Sequence, residues 1–395
     1  MSKSEERIVY PDYTRNSVNI VASILEGHGL TAAHTPLPSF SSKPIRDYSH
    51  VFFMVFDGMG HRLLLEKIPG IERRAAKVER LTSVFPSTTT AAVTSLLTGQ
   101  TPLEHGYLGW TLYMKEYNSY INALVGTDAD AKVDYHALGI DYHDVMAPEG
   151  FLSRIRKSCP DRKLWYAAPK EFGHSFYTRH TSSGGDALLF DREQDLPDII
   201  RGILKQGGPS TSLVYSPFPD YFGHREGLSG PMFNGWFSWF DGFINELQAE
   251  FRGKNALVLI SADHGLIDMD DYFRLDQDKA LMDTLIIPPF PESRFCSFFV
   301  KEHMKRQFEE RFHSLFDDDF LLLERGAFLS KGLLGTGNAH PKVDDFIGNY
   351  AAIATGRRGI HFNPKHNPDR ANRFVANHAG LTDHEMEVPL IVLEP

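Results

Sequence analysis

With 395 residues and 42% hydrophobic side chains, the chain can bury a sizeable core, as one large domain or as a core with an insertion. Its 41 basic and 51 acidic residues leave a formal charge of −10, which argues against a nucleic-acid polymer as partner, and Cys159 and Cys296 alone cannot build a disulfide framework or a cysteine-based zinc site. The start MSKSEERIVY lacks the apolar core of a secretory signal, and no run of about 18 apolar residues could span a bilayer, so the expected setting is cytoplasmic and away from membranes.

In chain order, residues 17–27 read as a helix and VFFMVF at 51–56 as a strand, followed at once by FDGMG at 56–60. SVFPSTTTAAVTSLLTG at 83–99 reads as a loop running into a helix over 90–98. INALVG at 121–126 and KLWYAA at 163–168 are weaker strand candidates, and a helix is expected over 196–205. SLVYSP at 212–217 is a core strand leading into PDYFGH at 219–224. The helix 232–251 carries Phe233, Trp236, Phe237, Phe240 and Phe243 at helical spacing, a stripe read as packing rather than as a ligand surface. ALVLIS at 256–261 opens into SADHG at 261–265, a helix follows over 301–313, and YAAIAT at 350–355 is a further weak strand. NHAG at 377–380 precedes the last core strand, VPLIVL at 388–393. The alternation predicts one α/β domain over 1–395, doubly wound, with a mostly parallel central sheet and helices on both faces. Two stretches interrupt it, 126–186 and 268–345, and either could fold over the sheet edge as a cap-like insertion.

The clusters carry the chemistry. Asp57, Asp220 and Asp263 with His224, His264 and His378 are three carboxylates and three imidazoles, and most follow an apolar run, where an open α/β sheet presents its loops to a ligand. Six hard or borderline ligands at one sheet edge suggest two divalent metals. A hydroxyl from the Ser-Thr-Thr-Thr run lies at a helix start, where free amides and the positive dipole end suit an anionic phosphoryl group, although serine and threonine also cap helices routinely.

The order Asp, Thr at a helix start, Asp-x-x-x-His, Asp-His-Gly and His-x-Gly resembles the alkaline phosphatase superfamily, most closely its nucleotide pyrophosphatase/phosphodiesterase branch, from about residue 50 to 395. The resemblance implies an alkaline-phosphatase-like fold and two divalent ions, zinc with manganese as the alternative. One would be held by Asp57, Asp263 and His264 and touch the nucleophile; the other would be held by Asp220, His224 and His378. In related enzymes the nucleophile precedes the threonine of the Thr-Gly helix ending by nine positions, which from Thr98 gives Thr89, both as catalytic residue and as a metal contact. Aligning Phe85-Pro86 with the branch's Phe-Pro would put Val84 there, which has no nucleophilic atom.

The implied activity is cleavage of a phosphodiester or nucleotide pyrophosphate through a covalent threonine intermediate, on a small phosphorylated substrate such as a nucleotide. Where the branch has an asparagine that holds a phosphoryl oxygen, EHGYLGWTLY places Trp110, and Asn122 or the Thr89 amide is expected to substitute. Trp110, Tyr107 and Tyr113 would either stack on a planar leaving group or pack the loop. His61, His105, His174, His180, His340, His361 and His366 are expected to be structural or solvent-facing, His340 being the first to test. SCPDR at 158–162 lacks the sulfatase spacing, and GTGN at 335–338 lacks the Gly-Lys-Ser/Thr ending of a P-loop. A phosphonoacetate-type C–P hydrolase, a phosphomonoesterase on the same metal core, and a non-catalytic metal- or nucleotide-binding protein are the alternatives.

Overall fold

The structure is a computed structural model that describes residues 7–38, 40–128, 134, 148–173, 175–362 and 374–394. Among these residues the largest sheet has seven strands, in the order Lys77–Thr82, Glu387–Leu393, Ala256–Ser261, His50–Phe56, Ser210–Ser216, Lys163–Pro169 and Asp186–Phe190. Neighbouring strands from Ala256–Ser261 through Asp186–Phe190 run parallel, and Glu387–Leu393 is antiparallel to both of its neighbours.

Alternation along the central strand decides what each face meets. Phe52 and Phe56 reach one side, with ring centroids 5.0 Å from Phe251 and 5.0 Å from Phe240, both on the helix Pro231–Phe251. Phe53 points the other way, 6.4 Å from Phe151 of the helix Phe151–Ser158. A strand covered on both faces has no polar side to show, which is why VFFMVF is apolar without interruption. The aromatic stripe of Pro231–Phe251 is buried packing throughout. No described helix is long and apolar enough to cross a membrane.

Three readings change. The segment 268–345 is more than charged helices and loops: Leu285–Pro291, Phe295–Val300 and Phe320–Glu324 join Tyr350–Ala354 in a four-stranded antiparallel sheet. Prolines hid the first of these strands, and they are tolerated because Leu285–Pro291 is an edge strand. The helix Lys305–Phe316 lays Phe308, Phe312 and Phe316 in a core shared with this sheet, while YAAIAT belongs to it and not to the main sheet. INALVG supplies only the end of Ser119–Asn122, a strand of a small three-stranded sheet, before the chain turns. KLWYAA, within 126–186, is a strand as expected, Lys163–Pro169 of the main sheet; 129–133 and 135–147 lie outside the described residues.

One core group makes stability depend on pH. Glu193 is buried against Pro231–Phe251, accepting hydrogen bonds from Trp236 Nε1 at 2.8 Å and from the Ser216 hydroxyl. Burial pushes its carboxyl up to about 8, against the pull of both donors. The native state therefore holds this proton more tightly than the unfolded chain does, and its stability falls as pH rises from about 4.5 to about 8. The expected loss is on the order of a few kcal/mol. Denaturant midpoints across that window should fall for the wild type and stay flatter for Glu193→Gln; parallel curves would contradict the assignment.

Candidate metal centre and nucleophile

Register brings the site together. In the sheet, Val55 pairs with Ser261 and Phe56 with Ser216, so three adjacent strands end level. The loops that follow carry Asp57, Asp263 with His264, and Asp220 with His224 on the helix Asp220–Glu226. Such a level set of carboxyl ends is where open α/β sheets bind ligands. The turns must be tight: Gly58 has φ +74, and a Cβ there would lie 2.8 Å from the Asp220 Cβ. A Cβ on Gly265 would lie 2.0 Å from the His384 carbonyl oxygen. His378 arrives from elsewhere, after the short strand Ala376–Asn377, which pairs with Ile267–Asp268. It is followed by Ala379 at φ 96, a strained conformation for a residue other than glycine.

Asp57, Asp263 and His264 place ligand atoms within 4.8 Å of one another, and so do Asp220, His264 and His378. His264 Nε2 is 3.4 Å from Asp57 Oδ1 and 3.3 Å from Asp263 Oδ2, while its Nδ1 is 3.0 Å from the Gly265 carbonyl oxygen. His224 Nε2 lies 3.1 Å from Asp220 Oδ2, and His378 Nε2 lies 3.8 Å from Asp220 Oδ1. The other nitrogens of His224 and His378 face the carbonyl oxygens of Ala376, at 2.8 Å, and Ser87, at 3.2 Å, which orients each ring with Nε2 toward the site. All six expected ligands therefore surround one space, with His264 between the two groups.

The chemistry of this donor set fits cations. Asp57 Oδ1, Asp220 Oδ1 and Asp263 Oδ2 are buried with no hydrogen-bond partner, and buried carboxylate oxygens without partners are costly. Burial, then the charges of Asp263 and Asp220, holds the Asp57 carboxyl well above its usual range. Burial together with Asp220 pushes Asp263 up to about 7, although the Gly58 and His264 amides oppose this. Burial would raise Asp220 as well, but His224, His378 and His264 outweigh it and hold Asp220 low. Burial and the neighbouring imidazoles of His264 and His224 drive His378 well below its ordinary value. Crowded acids that resist ionisation form a site short of positive charge.

Thr89 is the first residue of the helix Thr89–Thr98, and its Oγ1 lies 3.2 Å from His264 Nε2. From Ser83 to Gly99 every other residue is buried, and Thr89 alone is half-buried. Thr88 is buried with its hydroxyl on Glu292, and Thr90 is fully buried. Of the three threonines, only Thr89 is both partly accessible and beside the first ligand group.

The remaining candidates divide. Trp110 is 42% exposed, and its backbone N–H donates to Glu292 Oε1 at 2.6 Å. Tyr107 is buried beside His105 and Tyr177, and Tyr113 packs on Tyr120 and Phe290, so these two belong to the loop's packing. Asn122 sits in the small sheet, its Nδ2 donating to the Thr127 hydroxyl at 3.3 Å. His105 is buried, pushed down to about 3, with Nε2 3.1 Å from the Ser95 hydroxyl. His340 Nδ1 accepts from the Lys342 amide at 3.2 Å and is not among the grouped ligands. His174 and His366 lie outside the described residues. Two residues escaped the sequence reading: Tyr215, whose hydroxyl donates to Asp57 Oδ2 at 2.7 Å, and Glu292. The first lies in a strand of apolar pattern and the second beside prolines, so neither carries a motif.

A family model described as type I phosphodiesterase / nucleotide pyrophosphatase matches residues 51–287, more than half of the chain. Among solved structures, murine ectonucleotide pyrophosphatase/phosphodiesterase 5 is similar with a TM-score of 0.62 and 16% identity, over 87% of this chain and 88% of that one. An inactive threonine-to-alanine variant of that murine protein, in complex with AMP, matches at 0.61 with 16% identity, over 87% of each chain. Phosphonoacetate hydrolase from Sinorhizobium meliloti 1021, in complex with phosphonoacetate, matches at 0.60 with 16% identity, over 87% of this chain and 90% of that one. At such identities the likeness is one of fold. Comparison with curated proteins finds no match.

Proposed function

This chain belongs to the type I phosphodiesterase / nucleotide pyrophosphatase family, hydrolases of phosphoric esters, and from that premise we propose that it cleaves a phosphodiester or nucleotide pyrophosphate bond with Thr89 as nucleophile. The observation that carries this reading is the Thr89 hydroxyl at a helix start, 3.2 Å from His264 Nε2, on the one residue of 83–99 that is not fully buried. Asp57, Asp263 and His264, with Thr89, would hold one divalent cation, and Asp220, His224 and His378 a second; zinc suits these ligands, with manganese as the alternative. Bound there, such ions supply Lewis acidity that favours a threonine alkoxide and eases the departure of the leaving oxygen.

The Thr89 oxygen forms a bond to phosphorus as the bond from phosphorus to the leaving oxygen breaks, its proton passing to solvent or to the leaving oxygen, which gives a threonine ester that keeps the substrate's second ester group. Water then attacks that phosphorus as the bond to the Thr89 oxygen breaks, and a proton from that water restores the Thr89 hydroxyl. The first-turn amides of Thr89–Thr98 present the helix's positive end to the non-bridging oxygens. Trp110, 42% exposed, would meet a planar leaving group, while Asn122, engaged with Thr127, would support the same loop. The AMP bound to the murine neighbour's variant, and the inactivity of that threonine-to-alanine variant, support a nucleotide-sized substrate and a threonine nucleophile here. Sparse cysteine suits a cytoplasmic location.

Hydrolysis of a nitrophenyl phosphodiester and a nitrophenyl monoester, with and without chelator, tests the reading. Chelator-sensitive turnover that favours the diester is expected, and metal binding without turnover of either ester would overturn it. Asp220→Ala is expected to lose one metal equivalent by elemental analysis of the purified protein, and unchanged content would break the ligand scheme.

A further inference from the structure

We infer that Glu292 sets which phosphorus esters the site accepts, by keeping a carboxylate beside the phosphoryl-binding space that disfavours a dianionic monoester relative to a monoanionic diester. The inference rests on Thr89 being the nucleophile of a phosphoryl-transfer site.

Glu292 lies between the strands Leu285–Pro291 and Phe295–Val300 of the second sheet, far along the chain from the ligand motifs. Its Oε1 accepts the Thr88 hydroxyl at 2.8 Å and the Trp110 backbone N–H at 2.6 Å. Thr88 occupies the N-cap position of the helix begun by Thr89 without a side-chain cap bond, so this carboxyl holds the residue next to the proposed nucleophile. The approach depends on Gly109, where a Cβ would lie 2.6 Å from the Pro291 Cβ and 3.0 Å from the Glu292 Cγ. Burial raises the carboxyl, and the Trp110 amide, the Thr88 hydroxyl and then the imidazoles of His224 and His264 pull it the other way.

The plainer role is a clamp that fixes Thr88 and the loop at Trp110. A clamp needs only an acceptor, and one oxygen does all of that accepting. Oε2 takes no hydrogen bond among the described residues, and Glu292 keeps some exposed surface. Glutamine would satisfy both donors equally well, so the negative charge is surplus to the clamp. Beside a phosphoryl group, a fixed carboxylate repels each additional negative charge on the ester, and it does so more strongly away from bulk water. Discrimination then comes from an unfavourable contact with the wrong substrate.

The test compares kcat/KM for bis(p-nitrophenyl) phosphate and p-nitrophenyl phosphate at pH 8, where the monoester is a dianion. Glu292→Gln should lower the diester-to-monoester ratio about tenfold, equivalent to about 1.4 kcal/mol, mainly by raising the monoester value. Glu292→Asp and Glu292→Asn compare charge at a second, equal length: Asp should keep the discrimination and Asn lose it, and this pair decides the matter if Glu292→Gln does not fold. Independently of turnover, inorganic phosphate should bind the metal-loaded Thr89→Ala protein about tenfold more tightly when Glu292→Gln is added, by calorimetry. Equal changes for both esters, or unchanged phosphate affinity, would overturn the inference and leave the clamp. Failure of the wild type to hydrolyse either ester would instead overturn the reading of Thr89.

Discussion

Thr89→Ala is expected to lower turnover of a nitrophenyl phosphodiester by at least about a thousandfold while the protein keeps both metal equivalents. Apart from the contact of its Oγ1 with His264 Nε2, the side chain makes no hydrogen bond among the described residues: Thr89 opens its helix rather than capping it, and Thr88 holds the cap position. What disappears is the hydroxyl beside His264, on the one residue from Ser83 to Gly99 that is not fully buried. Thr89→Ser retains an oxygen at that place and should keep measurable activity. Thr90→Ala, by contrast, alters a fully buried side chain and should change stability more than chemistry. Full activity in the Thr89→Ala protein would remove it from the reaction, and loss of metal would show that its oxygen matters to binding instead.

Arg294→Met should destabilise the protein by about 3–5 kcal/mol, the range for breaking a buried ion pair from one side. Arg294 and Glu385 are both fully buried; Nε donates to Oε1 at 2.6 Å and Nη2 to Oε2 at 2.7 Å. The same carboxylate accepts the Gly380 amide at 2.8 Å and the Thr382 hydroxyl at 2.6 Å, so it also shapes the turn that follows His378. Arg294 spends its remaining donors on the carbonyl oxygens of Gly356, at 2.8 Å, and Arg358, at 3.1 Å, and on the Met269 sulfur, tying the second sheet to the short helix Asp383–Met386 that leads into the strand Glu387–Leu393 of the first. Urea unfolding measures the loss. Adding Glu385→Gln to Arg294→Met should recover part of it, because the stranded charge is then gone. A single variant as stable as the wild type would refute the coupling.

Much of the site was legible because short-range rules governed it. Asp57, Asp220 and Asp263 each follow an apolar strand closely, and a strand buried on both faces is visible as an unbroken apolar run. Choosing Thr89 from its neighbours needed the resemblance, since a capping threonine and a reactive one have the same local sequence. YAAIAT shows where such reading stops: an apolar run announces a buried strand and does not say in which sheet. Glu292, Tyr215 and the pair Arg294 and Glu385 were invisible for a related reason. Each acts on a partner about 90 to 200 positions away, across contacts that only the folded topology creates.

His264 belongs to both ligand groups, and its Nδ1 already faces a backbone carbonyl. A single free nitrogen cannot serve two cations. In the proposed scheme His264 stays with Asp57 and Asp263, so Asp220 and His378 would take their third ligand from His224, 3.1 Å from Asp220 and outside both tight groups. A third imidazole close at hand would thus spare two neighbouring cations a competition for one ring.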